Sequence, residues 1–338
     1  MVHISTAISV STNGLLIYLI IRKSPRSLGS YKYLMIFMSA VEMMYSLVFF
    51  SVKAKMVTKG FYWISATDSN RSLVPLPVAY ILLLFYAGSY GVALASFGVH
   101  FIFRYLTATG NKKWVTGTKP LSLWLGIPVL TGLVFICSLH FCSQSDAATV
   151  QFVEEHIAQT ENVAISEIVF LGFTMSDTAD GHQNGSTVLQ KAIGVFAMVI
   201  VIAVSFSAII YYGTKTYLVI RRLSRSNGNY SSRLKNLQSQ LFYSLVLQSI
   251  IPIVLVNVPS SVASIKLKYG TAIEVDGYIV SIASFLFPAV DPLPNLIIIK
   301  PYRNAIKDMT ACLFRRTRHT SSVNTGSHIV ATRKSAVP

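Results

Sequence analysis

VAYILLLFYAGSYGVALASFGVHFIFRYLT occupies residues 78–107, and Arg104 is its one formal charge. A helix rises ~1.5 Å per residue and a bilayer core is ~30 Å thick, so about 20 apolar residues cross it. Small and polar residues such as Gly88, Ser89 and Gly98 interrupt the bulky ones, and in lipid they allow close helix packing. The stretch therefore predicts a membrane-spanning helix that other helices surround.

Composition extends this prediction to the whole chain. Its 338 residues are 52% hydrophobic and 12% charged, with a mean hydropathy of +0.54, whereas soluble domains carry about 25% charged residues. The net charge of +16 comes from 29 Lys and Arg against 13 Asp and Glu. Because these charges lie in loops between apolar spans, we expect membrane lipids and a cytoplasmic protein as partners, and no nucleic acid.

Seven apolar stretches predict an all-α membrane protein, a bundle of seven transmembrane helices that forms one domain over residues 1–316. Pro252 and Pro259 in the sixth span remove backbone donors and favour a kink. The spans are expected at about residues 2–21, 33–52, 78–107, 121–141, 188–212, 241–265 and 278–299.

The basic residues predict how the bundle is oriented. Segments 22–32, 104–120, 213–240 and 300–338 hold 22 Lys and Arg, and the loops on the opposite side hold seven. Cytoplasmic loops are enriched in Lys and Arg. We therefore expect the N-terminus outside the cell and the C-terminus in the cytoplasm.

The sequence after the seventh span predicts a short amphipathic helix at about residues 302–316. Tyr302, Ile306, Met309 and Leu313 recur at helical spacing beside basic residues, a pattern typical of a helix in the membrane interface. Cys312 is a candidate for palmitoylation, with an unmodified thiol as the alternative. Residues 317–338 are basic and rich in Ser and Thr, which predicts a disordered cytoplasmic tail.

The predicted outer side carries one long loop. Residues 142–187 hold seven acidic residues and no Lys or Arg, and a loop of this length is expected to contain a short helix or to cap the bundle. Asn70 and Asn184 begin glycosylation motifs on this side, so both are candidate glycan sites.

Four blocks resemble the nematode Str-type serpentine chemoreceptors, and they occur in order at the matching spans. They are residues 13–39, His100–Tyr105 (HFIFRY), Leu237–Phe242 (LQSQLF) followed by Gln248 and Pro252, and Phe287–Pro292 (FPAVDP) through Lys300–Arg303 (KPYR). The resemblance implies a G-protein-coupled chemoreceptor for small volatile or soluble odorants. It also implies the plasma membrane of a sensory cilium and signalling through a heterotrimeric G protein.

One feature of many receptors outside this group is absent from this sequence. Those receptors have a cysteine at the outer end of the third span, bonded to the second outer loop. Residues 72–90 contain no cysteine. Cys142 therefore lacks that partner, and we expect the outer loop to be held by other contacts.

Asn13, Glu42 and Asp291 are candidate members of an activation layer. Each lies nine residues from a span boundary, at Arg22, Tyr33 and Lys300, which places all three about 13 Å inside the cytoplasmic boundary. Two carboxyls this close do not both ionise, so one holds a proton or a cation bridges them. The layer resembles the Asn–Asp–Asn layer of rhodopsin-like receptors. A static hydrogen-bond cluster is the alternative.

Four basic residues are candidates for G-protein coupling. Arg104 matches the position at which rhodopsin-like receptors place an arginine that meets the G protein, but His100 and Phe103 replace the neighbouring acid. The alternative is an arginine that extends to phosphate headgroups. Arg221, Arg222 and Lys235 in the third inner loop form a candidate docking rim, with membrane orientation and lipid contact as the alternative.

A small apolar odorant requires an apolar cavity with one or two hydrogen-bonding groups. Polar residues in the outer halves of four spans are candidates for these groups, and ordinary bonding between helices is the alternative for each. They are Tyr86, Ser89, Tyr90, Ser138, His140, Asn257, Ser260, Tyr278 and Ser281.

The sequence provides no support for an enzyme. Its seven histidines are scattered without a metal-binding spacing, no cofactor motif is present, and the seventh span has no lysine before Lys300 for a retinal Schiff base. The competing function is a seven-helix ligand-gated channel or transporter. The sequence is also compatible with a homo-oligomer.

Overall fold

The structure is a computed structural model that describes residues 2–143, 147–174, 185–225 and 232–312. This part contains seven helices long and apolar enough to cross a membrane, which confirms the expected architecture. Their bounds are α1 Val2–Lys23, α2 Tyr31–Val52, α3 Leu76–Ala108, α4 Thr118–Cys142, α5 Gly185–Arg225, α6 Ser232–Pro252 continuing through Ile253–Asn257 and Val258–Lys268, and α7 Glu274–Val290 continuing as Leu293–Ile298.

Two helices are considerably longer than hydropathy suggests. The apolar pattern of α5 ends near residue 212 but the helix runs to Arg225, and the pattern of α6 begins near residue 241 but the helix begins at Ser232. The additional turns contain Lys, Arg and Gln, which keep high helix propensity while lowering hydropathy. Hydropathy therefore locates the apolar part of each helix and not the helix end.

α3 occupies the centre of the bundle, as its composition predicts. It packs against α2, α4, α5 and α6. A Cβ at Gly88 would lie 2.4 Å from Cγ1 of Ile136 on α4, so only glycine permits this approach. The small residues of α3 thus bring the helices into close contact, as they do in other membrane bundles.

A three-stranded sheet at one end of the bundle is present in addition to the predicted helices. Strands β1 Lys55–Lys59, β2 Tyr62–Asp68 and β3 Ile168–Thr174 pair antiparallel in the order β1-β2-β3. Gly60 joins β1 to β2 with a positive φ of 59°, a conformation that favours glycine. β3 comes from the long loop between α4 and α5. The chain is mostly helical, with this small sheet in addition.

The two ends of the bundle differ in chemistry. We name the end that carries the sheet the capped end. We name the opposite end, where α1 ends with Arg22 and Lys23 and α5 ends with Arg225, the basic end. The short helix Ala147–Val153 packs on the sheet at the capped end, where Phe152 and Val153 join Val57 and Ile64 in one apolar cluster.

The sheet and the long loop at the capped end, which together we name the cap, are held in place without a disulfide. Cys142 is a buried free thiol. Glu161 instead accepts from Arg71 Nη2 at 2.6 Å and from Lys55 Nζ at 3.1 Å, which ties the long loop to the first hairpin. Thr58 Oγ1 donates to the Ile273 carbonyl at 2.7 Å, at the start of α7.

The ion pairs of Glu161 predict how the cap responds to acid. Desolvation alone would raise the pKa of the Glu161 carboxyl, but hydrogen bonds from Arg71 and Lys55 outweigh it and lower the pKa below 4.5. A lowered pKa gives stability that is complete above the ordinary value and is lost as the pH falls through the lowered one. We therefore expect hydrogen exchange in β3, corrected for intrinsic rates, to be equal at pH 7 and pH 6 and faster below about pH 4.

A substitution separates this effect from general acid unfolding. Glu161→Gln is expected to speed β3 exchange at pH 7 by up to about five-fold, since an ion pair that is partly open to solvent contributes up to about 1 kcal/mol. Glu154→Gln is the matched control, because Glu154 is exposed in the same loop. Equal exchange in the two variants at pH 7 would contradict this account of the cap.

Candidate functional site

A buried polar layer joins α1, α2 and α7. Asn13, Glu42 and Asp291 are 0%, 2% and 0% exposed. Asn13 Nδ2 donates to the Pro288 carbonyl at 2.9 Å, and the Glu42 side chain neighbours those of Asp291 and Asn13 within hydrogen-bond range. The structure therefore places side by side the three residues that the sequence placed at one depth.

The layer has one oxygen from each residue without a donor. Asn13 Oδ1, Glu42 Oε1 and Asp291 Oδ1 have no hydrogen-bond donor among the described residues. Two adjacent buried carboxylates repel each other, and one proton between them removes the repulsion and supplies a donor. The geometry therefore suits a carboxyl pair that shares a single proton.

The layer continues to α6 through residues that are not among the predicted site residues. Gln248 Nε2 donates to Asp291 Oδ2 at 2.9 Å, Asn295 Nδ2 donates to Gln248 Oε1 at 3.0 Å, and Ser244 Oγ donates to Asn295 Oδ1 at 2.6 Å. Ser244 and Gln248 are four residues apart on α6, as Asp291 and Asn295 are on α7. Polar pairs at this spacing share a helix face, and that signal could have identified them.

A second buried cluster lies nearer the basic end, and we name it the arginine latch. It comprises Arg104, Tyr31, His100 and the backbone carbonyl of Gln238. Arg104 is 2% exposed, and its Nη2 donates to the Gln238 carbonyl on α6 at 2.8 Å. The guanidinium carbon lies 5.0 Å from the centroid of the Tyr31 ring.

His100 completes the latch. The Tyr31 hydroxyl and His100 Nδ1 are 3.2 Å apart, so the ring beneath Arg104 is itself anchored to α3. Arg104 has no acidic partner among the described residues, and its side chain points into the bundle. The structure therefore contradicts the alternative in which Arg104 extends to lipid headgroups.

The basic end contains two neighbouring cavities. One has a volume of about 810 Å³ between the α1–α2 connection, α6 and the start of the helix after α7, and Gln240, Lys300 and Asn304 are among its lining residues. The other has about 310 Å³ and is lined by Thr107, Leu223 and Lys235, among others. Arg221 and Arg222 are exposed on the extension of α5. Three of the candidate coupling residues thus lie at this end, and Lys235 among them lines the second cavity.

A helix over residues 300–312, α8, follows α7. Tyr302 is fully buried, and its hydroxyl lies 2.7 Å from Ser24 Oγ at the end of α1. Met309, two turns later on the same face of α8, is exposed. Cys312 is exposed at the last described position. Residues 313–316 of the expected helix and the tail over 317–338 lie outside the described residues.

The nine residues proposed for the ligand pocket take part in several separate contacts. The Ser89 hydroxyl donates to Phe85 of its own helix, and His140 bonds Tyr80 at 2.8 Å. Tyr278 lies under Lys55. Ser138 is buried, and Ser260 and Ser281 are half-buried.

Two of the nine residues, Tyr90 on α3 and Asn257 on α6, are in direct contact. The Tyr90 hydroxyl donates to Asn257 Oδ1 on α6. Tyr86, one turn away on α3, packs against Tyr45 at 4.7 Å and Phe49 at 5.2 Å between ring centroids. Among the predicted residues, the structure thus brings together the Tyr90 hydroxyl and the Asn257 amide, with the Tyr86 ring one turn away.

The remaining candidates lie at the surface or outside the described residues. Asn70 is exposed in the turn after β2, at the capped end. Asn184 lies outside the described residues. Within the described ranges, no group of three or more His, Cys, Asp or Glu side chains could hold a metal ion.

The arrangement defines a seven-helix receptor fold. Squid rhodopsin has the same fold, with a TM-score of 0.53 and 11% identity over 92% of this chain and 84% of that one. The family of serpentine type 7TM GPCR chemoreceptors Str matches residues 1–307. The chain belongs to this family, which confirms the resemblance found in its sequence.

Two relatives from Caenorhabditis elegans illustrate the match. "G-protein coupled receptor str-217" is 30% identical over 311 residues, which cover 90% of this chain and 87% of the relative. "Serpentine receptor class r-10" is 27% identical over 290 residues, which cover 83% and 81%. The chain is therefore a multi-pass membrane protein and a chemoreceptor of the G-protein-coupled type.

Proposed function

We propose that this receptor detects a small volatile or soluble odorant and activates a heterotrimeric G protein from its basic end. The observation that carries the proposal is the arginine latch, a buried cation tethered to a neutral carbonyl beside open cavities. The proposed location is the plasma membrane of a sensory cilium, with the basic end and C-terminus in the cytoplasm. The excess of Lys and Arg at that end supports this orientation.

The hydrogen bond from Arg104 to the Gln238 carbonyl suits a contact that breaks on activation and frees the guanidinium for another partner. A hydrogen bond from a charged donor contributes about 1.5–3 kcal/mol, which is within the binding energy of a small ligand. Once α6 moves, Arg104 loses the Gln238 carbonyl and can pair with the G protein. Arg221, Arg222 and Lys235 form the proposed rim for an acidic surface of that partner.

The polar layer is the proposed link between the ligand side and the latch. It touches α1, α2, α6 and α7 through Asn13, Glu42, Gln248 and Asp291. A single proton shared by two carboxyls can move from one to the other when the helices shift, at little electrostatic cost because the net charge stays constant. We propose that activation rearranges this layer.

Ligand recognition is proposed on the facing sides of α3 and α6. Tyr86, Tyr90 and Asn257 combine aromatic surface with a hydroxyl and an amide, which suits an apolar molecule with one polar group. For the other six candidates we propose only that they lie near this region. They are Ser89, Ser138, His140, Ser260, Tyr278 and Ser281. Glycans at Asn70 and Asn184 and a lipid at Cys312 complete the proposal.

A cell assay tests this function. The chain is expressed with a Gα subunit, exposed to a panel of volatiles, and read by calcium or cyclic nucleotide. We expect at least one volatile to give a saturable response that disappears in cells lacking Gα. A volatile-dependent ion current that persists in those cells would instead favour the channel alternative.

A further inference from the structure

Helix α6 is interrupted at one defined place. Its residues Ile253–Asn257 form a π-helical turn between two α-helical segments. Pro252 and Pro259 flank the turn, and neither has a backbone N–H to donate. A π turn accommodates one residue more than an α turn and is frequently found at functional sites. α6 can therefore change its register here at lower cost than elsewhere.

One side chain spans the π turn. Asn257 Nδ2 donates to the Pro252 carbonyl at 3.2 Å, five residues earlier. The Tyr90 hydroxyl on α3 donates to Oδ1 of the same amide. The Tyr90 ring meets Phe135 of α4 edge-on, with centroids 6.0 Å apart. Tyr90 is thus positioned by two helices and holds the amide that closes the turn.

A second contact joins α3 to α6, on the basic-end side of the π turn. Arg104 lies 14 residues after Tyr90 on α3, about 21 Å along the helix axis, and donates to the Gln238 carbonyl. Asn257 and Gln238 lie on opposite sides of the π turn's first residue, Ile253. The start of the π turn is therefore placed between two contacts with α3.

We infer that the contact between Tyr90 and Asn257 holds the π turn and thereby sets the register of the basic-end half of α6. Conversion of the π turn to an α turn shifts that half by one residue. This corresponds to a rotation of about 100° and a translation of about 1.5 Å. The Gln238 carbonyl would then leave Arg104, which is the latch release that the proposed function requires.

Tyr90 is a positioning residue in this inference, since it acts on Arg104 through α6. The link to signalling rests on the proposed function, but the register of α6 does not. A readout of helix position in the purified receptor therefore tests the inference without a G protein or a known ligand.

The test measures the distance between the basic ends of α3 and α6 by pulsed electron spin resonance. Spin labels are attached at Thr109→Cys and Ser232→Cys, both exposed, after Cys137, Cys142 and Cys312 are replaced by alanine. A side chain at a radius of about 5 Å moves by about 8 Å when a helix rotates by about 100°. We expect Tyr90→Phe, and independently Asn257→Leu, to create a population displaced by several ångströms.

Controls make the result decisive. Ser96→Ala removes a hydroxyl that bonds only its own helix, at Val92, and is expected to leave the distance unchanged. Arg104→Gln opens the latch directly and is expected to displace α6. If Arg104→Gln shifts the distance while Tyr90→Phe and Asn257→Leu do not, the inference is overturned and the proposed function stands. If none of the three variants changes the distance between the spin labels, the proposal that the arginine latch holds α6 is rejected as well.

Discussion

Arg104→Ala is expected to reach the cell surface normally and to lose most ligand-stimulated G-protein activation. The guanidinium is the one buried cation of the latch, and the proposed partner contact replaces its bond to the Gln238 carbonyl. Loss of about 1.5–3 kcal/mol corresponds to a response lowered by about 10- to 150-fold. Dose–response curves at matched surface expression, measured with an N-terminal tag, provide the measurement.

Two further variants define what the arginine contributes. Lys112→Ala removes an exposed cation just after α3 and is expected to change the response by less than about two-fold, because exposed charges contribute little. Arg104→Lys keeps the charge and loses the planar donor group, so we expect an intermediate response. Full activation by Arg104→Ala at normal surface expression would reject the role of Arg104 in coupling.

Glu42→Leu is expected to remove most folded receptor from the cell surface. It leaves the Asp291 carboxyl buried without the group that shares its proton. Leucine forms no hydrogen bonds, so the buried polar side chains of Asp291 and Asn13 beside it lose a partner at about 1–3 kcal/mol each, a large part of the about 5–15 kcal/mol that stabilises a typical protein. Surface labelling and the melting temperature in detergent measure the loss. Met44→Leu is the control, since Met44 lies on the exposed face of the same helix.

Glu42→Gln separates folding from signalling at the same position. The amide can still donate to Asp291, and the pair keeps the single negative charge that it has when the two carboxyls share one proton, so we expect surface expression near that of the unmodified chain. The proton can no longer move between the two groups, so we expect a ligand response reduced by about ten-fold or more. Unchanged signalling at unchanged expression would reduce the layer to a static hydrogen-bond cluster.

The helices are predictable because lipid imposes a strong pattern on sequence. Each span must be apolar over about 20 residues, and a polar residue inside it is conspicuous. This is why the common depth of Asn13, Glu42 and Asp291 follows from the sequence alone. The partner of Arg104 is not predictable, because it is a backbone carbonyl, and any residue could occupy position 238 and present one.

The sheet shows a different limit. Its first hairpin, KMVTKGFYWISATD at residues 55–68, has β-branched and aromatic residues around Gly60, a recognisable signal of two strands joined by a turn. The third strand begins 100 residues after the end of the second, so its pairing depends on tertiary structure. The π turn is equally hidden, because Pro252 and Pro259 predict a kink and do not specify its form.

Nucleotide exchange on a heterotrimeric G protein, in vesicles that contain the receptor, tests the central claim most directly. Vesicles with the unmodified chain and with Arg104→Ala are exposed to the same volatiles. We expect at least one volatile to accelerate exchange with the unmodified chain and to have little effect with Arg104→Ala. A volatile that drives ion or solute flux through the receptor, while exchange stays at its basal rate, would contradict it.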